Sequence, residues 1–174
     1  MIRLRDAATG EVVQSFTGHA GIVNDLDLSP DGTTLASVSA DGTLRIWDVA
    51  SGAVRKILYT AGDEGAGRWM WSVAFDQDGT RLLAGGYDGG AVLYDTDDWT
   101  EIRRFDNGER VWGVGFHPDG RRIAVSTPDR PYGIGLWDAW SGELVQNLPT
   151  SSAVYAIDIS ADGSQLVASA AGDP

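Results

Sequence analysis

Short runs of alternating apolar and polar residues follow one another along this chain. Each is stopped by Gly, Asp or Pro, so the pattern predicts β-strands joined by tight turns. In the clearest stretch, residues 22–28 form one strand, with Val23, Leu26 and Leu28 apolar. Pro30-Asp31-Gly32 then turns the chain, since proline presets φ and glycine accepts φ above zero. Residues 34–39 form a second strand, and Asp41-Gly42 is a two-residue hairpin signal. Residues 43–49 form a third strand, Ser51-Gly52 turns again, and residues 53–58 form a fourth. No window sustains a helical period, so almost no helix is predicted.

The pattern recurs. Four turns align: Ser29-Pro30-Asp31-Gly32, Asp76-Gln77-Asp78-Gly79, His117-Pro118-Asp119-Gly120 and Ser160-Ala161-Asp162-Gly163. Their glycines, at 32, 79, 120 and 163, stand 47, 41 and 43 residues apart. A second marker keeps step: Ile46-Trp47-Asp48, Leu93-Tyr94-Asp95 and Leu136-Trp137-Asp138. Arg3-Leu4-Arg5-Asp6 is a degenerate first copy, with Arg5 in the Trp place.

Units of four short strands repeating about every 40–45 residues, with Gly-His and Trp-Asp markers, resemble the WD40-repeat family. Here the markers are Gly18-His19 and Trp47-Asp48. The resemblance runs the length of the chain. It implies an all-β WD40 β-propeller of four four-stranded blade equivalents with half-blades at both termini. The expected divisions are a half-blade at 1–18, blades at about 19–60, 61–106 and 107–150, and a half-blade at 151–174. It also implies that His19, Ser37, Asp41 and Trp47 form that family's buried tetrad, with His19 linking Asp41 to Ser37 and Ser37 reaching the Trp47 indole. A buried imidazole and carboxylate need such a connected network. The later repeats depart from it. The second has Ala66, Ala84 and Tyr94 with Asp88, and the third has Asn107, Val125 and Trp137 with Asp129. Those blades are expected to rest on packing.

The half-blades at the two ends are complementary, and joining blade pieces protects open strand edges. Three arrangements follow: a four-bladed ring within one chain, a homodimer exchanging half-blades to close an eight-bladed ring, or a piece of a longer propeller. Inter-blade residues are mostly Val, Ile, Leu, Ala and Gly, sized for a shallow wedge, whereas a four-bladed ring needs a steep one filled by large residues. The homodimer and the longer parent are therefore favoured. The ending Ala170-Ala171-Gly172-Asp173-Pro174 stops inside a hairpin turn, which points to truncation.

Charge narrows the partners. Thirteen Lys and Arg stand against 25 Asp and Glu, a net charge of −12. No run supplies the basic face of a nucleic-acid binder, and an acidic surface repels anionic lipid. A basic protein or peptide fits better. There are no cysteines, which excludes disulfides, thiol catalysis and Cys-based zinc sites. No secretory signal or membrane-spanning apolar stretch is apparent, which suggests a cytoplasmic location.

Catalytic groups do not assemble. Of the two histidines, His19 holds the tetrad position and His117 stands in a turn, where it is expected to face solvent. Any Ser/His/Asp set would have to borrow the tetrad. The carboxylates sit mostly where turn chemistry wants them, before glycines or at strand ends. Asp95-Thr96-Asp97-Asp98 lacks the Gly and Glu of a calcium loop. The Gly-rich segment 61–67 carries Asp63 and Glu64 and leads into a strand, so it is no phosphate cradle; it is a candidate contact loop. No enzyme activity, cofactor or metal is expected.

The aromatics are more informative. Aligned on the turn glycine, Asn24, Trp71, Trp112 and Tyr155 share one slot near the start of each innermost strand. Trp69 and Arg110 come two residues earlier, and Tyr87 lies on the adjoining hairpin. In WD40 proteins that end of the strand opens on the top face, near the central channel. Aromatic rings beside an Arg have the composition of a binding hot spot; the alternative is that they pack between blades and seal the channel. Trp99 and Trp140 fall on turns of the opposite face, as expected covers of blade edges. The overall expectation is a protein-interaction scaffold binding a protein or peptide through Trp69, Trp71, Tyr87, Arg110, Trp112 and Tyr155. Two other classes remain: a self-assembling half-propeller or inactive fragment, and a propeller enzyme or small-molecule binder using the channel.

Overall fold

A computed structural model describes residues 1–59, 69–87, 90–106, 110–128 and 133–170. Among them are sixteen strands and no helix. A two-stranded sheet holds β1 (Ile2–Arg5) and β2 (Val12–Phe16). The next sheet runs β3 (Val23–Leu28), β4 (Thr34–Ser39), β5 (Thr43–Asp48) and β6 (Val54–Tyr59). A third runs β7 (Met70–Phe75), β8 (Arg81–Gly86), β9 (Gly90–Asp95) and β10 (Glu101–Asp106). A fourth runs β11 (Gly113–Phe116), β12 (Arg122–Thr127), β13 (Gly133–Asp138) and β14 (Leu144–Pro149). The last pairs β15 (Val154–Ile159) with β16 (Leu166–Ala170). In every sheet, sequence neighbours pair antiparallel. Several strand ends move one residue from the sequence expectation; β3 starts at Val23, with Ile22 outside it and exposed.

The repeated turns share one construction. After β3, Asp31 Oδ1 accepts the Ser29 hydroxyl at 2.6 Å and the Thr33 N–H at 3.0 Å, while Gly32 takes φ 71°. Asp78, Asp119 and Asp162 likewise accept the amides of Thr80, Arg121 and Ser164 at 3.1, 2.9 and 3.0 Å. Their following glycines also have left-handed φ, a region that side chains disfavour. These carboxylates are spent on backbone geometry.

Period-two alternation assigns each strand residue to one of two inter-sheet contacts. In β4, Leu35 faces backward, with Trp47, onto Ile2 and Phe16 of the first sheet. Ala36 and Val38 face forward onto Met70, Val73 and Leu82 of the third. In β8, Leu83 faces forward onto Val111, Val114 and Ile123. In β12, Ala124 faces forward onto Val154 and Ile157. Middle strands are thus buried on both faces: all six residues of β4 and of β8 are buried. In the third sheet the Trp slot holds Tyr94, whose phenol burial pushes up to about 12. The contacts are filled mostly by aliphatic residues, with a few aromatic rings among them. Phe16, Trp47 and Phe105 enter them from third and fourth strands, where diverging sheets leave space for larger side chains, and Phe75 enters from the innermost β7.

The innermost strands are tied directly to one another. Asp25 Oδ2 accepts the Val73 N–H at 3.0 Å and the Ser72 hydroxyl at 3.1 Å. Asp27 Oδ2 accepts the Phe75 N–H at 2.8 Å. Ser72 Oγ in turn accepts the Val114 N–H at 3.2 Å, carrying the line into a third sheet. Burial raises the Asp27 carboxyl above its ordinary value despite the amide bonds it accepts.

His117 corrects an expectation. Its side chain is only 14% exposed. Nε2 stands 3.1 Å from Gly163 O of the next sheet, and Nδ1 accepts the Asp119 N–H at 3.1 Å. The ring fits because Gly163 lacks a side chain: a Cβ there would lie 2.5 Å from the imidazole. The turn residue joins two sheets instead of facing water. Trp99 packs on the core cluster of the second and third sheets, whereas Trp140 is 60% exposed and lies against the Arg81 guanidinium. The Gly-rich segment 61–67, which includes Ala66, and Asp88, Asn107, Asp129 and residues 171–174 fall outside the described residues.

Candidate interaction surface

Trp71 and Tyr155 are second residues of β7 and β15, and Trp112 directly precedes β11. Because each sheet repeats the same register, stacking the sheets brings these side chains into one row. Ring centroids are 5.3 Å apart for Trp69 and Trp71, 5.5 Å for Trp71 and Trp112, and 4.5 Å for Trp112 and Tyr155. The contacts are edge-on or tilted, arrangements that aromatic quadrupoles favour. Trp69, Tyr87 and Tyr155 are 46%, 50% and 44% exposed, while Trp71 and Trp112 are half-buried. Tyr87 N–H bonds Trp69 O at 2.9 Å, and Val111 N–H bonds Gly86 O at 2.9 Å. These backbone bonds set Tyr87 and Arg110 beside the row, with the Arg110 guanidinium 5.5 Å from the Tyr87 ring centre. All six side chains singled out in the sequence therefore lie on one surface.

Two features of that surface were not legible beforehand. Asn24, in the same slot, turns inward, and its amide donates to Met70 O at 2.7 Å, so the row begins only in the third sheet. The indole N–H groups of Trp71 and Trp112 are buried with no acceptor among the described residues, a costly state for a donor. No sequence signal marks the second. The first could have been suspected from Asn24 standing beside Asp25 and Asp27 on an otherwise apolar strand.

The His19 cluster lies in the second sheet and is separate. Its side chain is 3% exposed. Nδ1 is 2.9 Å from Asp41 Oδ2, Nε2 is 2.7 Å from Ser37 Oγ, and Trp47 Nε1 donates to Ser37 Oγ at 2.8 Å. An ionised carboxylate only accepts, so Nδ1 carries the proton; Nε2 then accepts from the Ser37 hydroxyl. Burial lowers the His19 pKa, against the opposing pull of Asp41. Burial alone would raise Asp41, but bonds from Thr43, His19 and the Ala20 amide outweigh it and hold the carboxyl well below its usual range. Ser37 has no hydrogen left for a substrate, and every member is engaged, so the cluster is built for structure.

Cavities of about 440 and 350 Å3 open at the opposite end of the innermost strands, among turn residues such as Ser29, Asp78, His117 and Ser160. Among the described residues no group of three or more His, Cys, Asp or Glu could hold a metal ion. No described helix is long and apolar enough to cross a membrane.

Comparison with known proteins agrees with this architecture. Residues 10–48 and 55–95 match the WD domain, G-beta repeat. The chain is 30% identical over 182 residues to an uncharacterized WD repeat-containing protein of Synechocystis, covering 95% of this chain and 46% of that protein. It is 28% identical over 161 residues to small ribosomal subunit protein RACK1y of Oryza sativa, covering 87% and 46%. It is 31% identical over 137 residues to the guanine nucleotide-binding protein subunit beta of Arabidopsis thaliana, covering 76% and 34%. The chain thus spans less than half the length of each of these relatives. Matched repeats, repeat-bearing relatives and stacked four-stranded antiparallel sheets together show that this chain carries WD40 repeats and that its sheets are consistent with propeller blades.

Proposed function

We propose that the chain is a protein-interaction scaffold. Its contact surface is the row Trp69, Trp71, Trp112 and Tyr155 with Tyr87 and Arg110 beside it, and it docks a basic protein or peptide segment without chemistry on it. The observation that carries this is the continuous row of contacting rings, half-exposed at both ends, presented by three successive blades. Aromatic residues and Arg on rigid strands make anchors of low conformational cost. Electron-rich ring faces in a chain of net charge −12 favour Lys and Arg side chains.

The test is selection of a random peptide library on the immobilised chain, followed by titration of the selected peptides against tryptophan fluorescence. Enrichment of Lys- and Arg-containing peptides is expected. Trp69→Ala and Tyr155→Ala should each weaken their binding about tenfold or more while melting stays unchanged. Trp71→Ala and Trp112→Ala are poorer probes, because those rings also pack. Absence of enrichment, or undiminished binding by both exposed-ring variants, overturns the proposal.

A further inference from the structure

Trp140 is exposed where its counterparts are small or polar. On the turn after the third strand of each four-stranded sheet, the place two residues past the marker Asp holds Ala50, Asp97 and Trp140. Asp138 fixes the last of these turns by accepting the Trp140 and Ser141 amides at 3.0 and 2.8 Å, and the Trp140 ring stands 60% exposed. Two arginines of the preceding sheet reach this turn. Arg81, on β8, is 8% exposed and lies 5.2 Å from the Trp140 ring centre and 5.4 Å from that of Phe116. Its Nε donates to Asp76 Oδ2 at 2.7 Å and its Nη2 to Gly120 O at 2.7 Å, but Nη1 is buried with no acceptor among the described residues. Arg103, on β10, lies against the far end of the turn: a Cβ on Gly142 would be 2.9 Å from its Nη1. It holds the register of Gln14 on β2, whose amide donates to Ala50 O at 2.9 Å. Arg103 Nε, by contrast, is buried without an acceptor among the described residues.

Two stranded guanidinium N–H groups at one turn are a costly arrangement. The carboxylates nearby are committed elsewhere: Asp76 to Arg81, Asp138 to Arg121 at 2.6 Å and Asp119 to Arg122 at 2.7 Å. A cavity of about 260 Å3 opens against Arg81, lined also by Gln77, Pro118 and Gly120. We propose that Trp140, Arg81 and Arg103 form a second docking site, at the end of the sheets away from the Trp69 row, for an acidic protein segment in which a carboxylate stands beside an apolar side chain. Carboxylate oxygens accept from Arg81 Nη1 and Arg103 Nε, and the apolar side chain covers the Trp140 ring. Trp140 lies on a surface turn, so a tilt of its ring admits an oxygen to Arg81. Charge complementarity selects this occupant. Both open donors belong to permanent cations, and such a donor bonds an ionised acceptor about twice as strongly as a neutral one.

Titration of the nitrogen-labelled chain with a six-residue peptide alternating Glu and Leu tests the site, beside the same peptide with Gln in place of Glu. Nitrogen-edited proton NMR should show the Glu peptide shifting the Trp140 indole and the Arg81 and Arg103 Nε–H signals, less so as salt rises. The Gln peptide should bind about tenfold more weakly or worse. Arg103→Gln puts there the residue that Gln14 and Gln146 supply in the same register, and Trp140→Ala removes an exposed ring, so both should keep the circular dichroism spectrum of the parent chain. Each should weaken Glu-peptide binding about tenfold. Trp69→Ala, which disables the aromatic row, should leave it unchanged, so either proposal can fail alone. No shift of these signals with the Glu peptide, equal binding of the Gln peptide, or undiminished binding by both variants overturns the proposal.

Discussion

Replacing Ser37 with Ala removes one oxygen from the centre of the His19 cluster. The Trp47 indole N–H and the His19 Nε2 both lose their partner, at sites where Trp47 is fully buried and the His19 side chain is 3% exposed. Both groups are shut away from solvent, and an unsatisfied buried polar group costs about 1–3 kcal/mol. The volume change is too small to matter, so the two losses together come to about 3 kcal/mol. For a chain of this length that lowers the melting temperature by about 6–12 °C. Calorimetry or circular dichroism melting of the purified chain reads the shift. Ala84 stands in the same register of β8, against Tyr94 instead of a Trp, so alanine itself is compatible with the strand. The cost must come from stranded partners, and a cycle with Trp47→Phe separates it: the two substitutions should be strongly non-additive. A loss below about 0.5 kcal/mol, or strict additivity, would refute the account.

Acidification should act on the same cluster. Because the folded pKa of His19 lies below its ordinary 6.5, the unfolded chain binds the proton first. Stability is fully present above about pH 6.5 and falls as pH drops below it, and His19→Gln should flatten melting temperature against pH in that window. Gly85→Ala, whose Cβ would lie 2.3 Å from Val111 Cγ1, should cost about 1–3 kcal/mol in denaturant unfolding. Gly115→Ala, with nothing within 4 Å of the added carbon, should leave the midpoint nearly unchanged. Trp140→Ala removes an exposed ring from the Arg81 guanidinium, 5.2 Å away, and should cost about 0.5–1 kcal/mol in the same assay.

The strands and turns were legible because their signals are local. Asp-Gly at each turn fixes φ, and apolar alternation fixes the faces. What sequence could not supply was the distance between sheets. His117 reads as a solvent-facing turn residue until Gly163 of the next blade is seen to make room for its ring. Asn24 shares its alignment slot with three aromatics, yet it turns to Met70 O because the first complete blade bonds forward through polar groups. Arg81 gives no hint in the sequence that Phe116 and Trp140 will lie 5.4 and 5.2 Å from its guanidinium. Each miss concerns a contact between repeats, where spacing along the chain says little about spacing across it.

The carboxylates of the innermost strand work as a vernier. Asp25 and Asp27 grip Val73 and Phe75, two amides spaced as the two acids are, so sliding one blade along its neighbour by a residue breaks both bonds at once. Blades can therefore splay at the rim, where β6 and β14 are largely open to solvent, but they cannot slip at the hub. Between the next two blades Ser72 Oγ holds the Val114 N–H, which fixes Trp71 against Trp112 before any partner arrives.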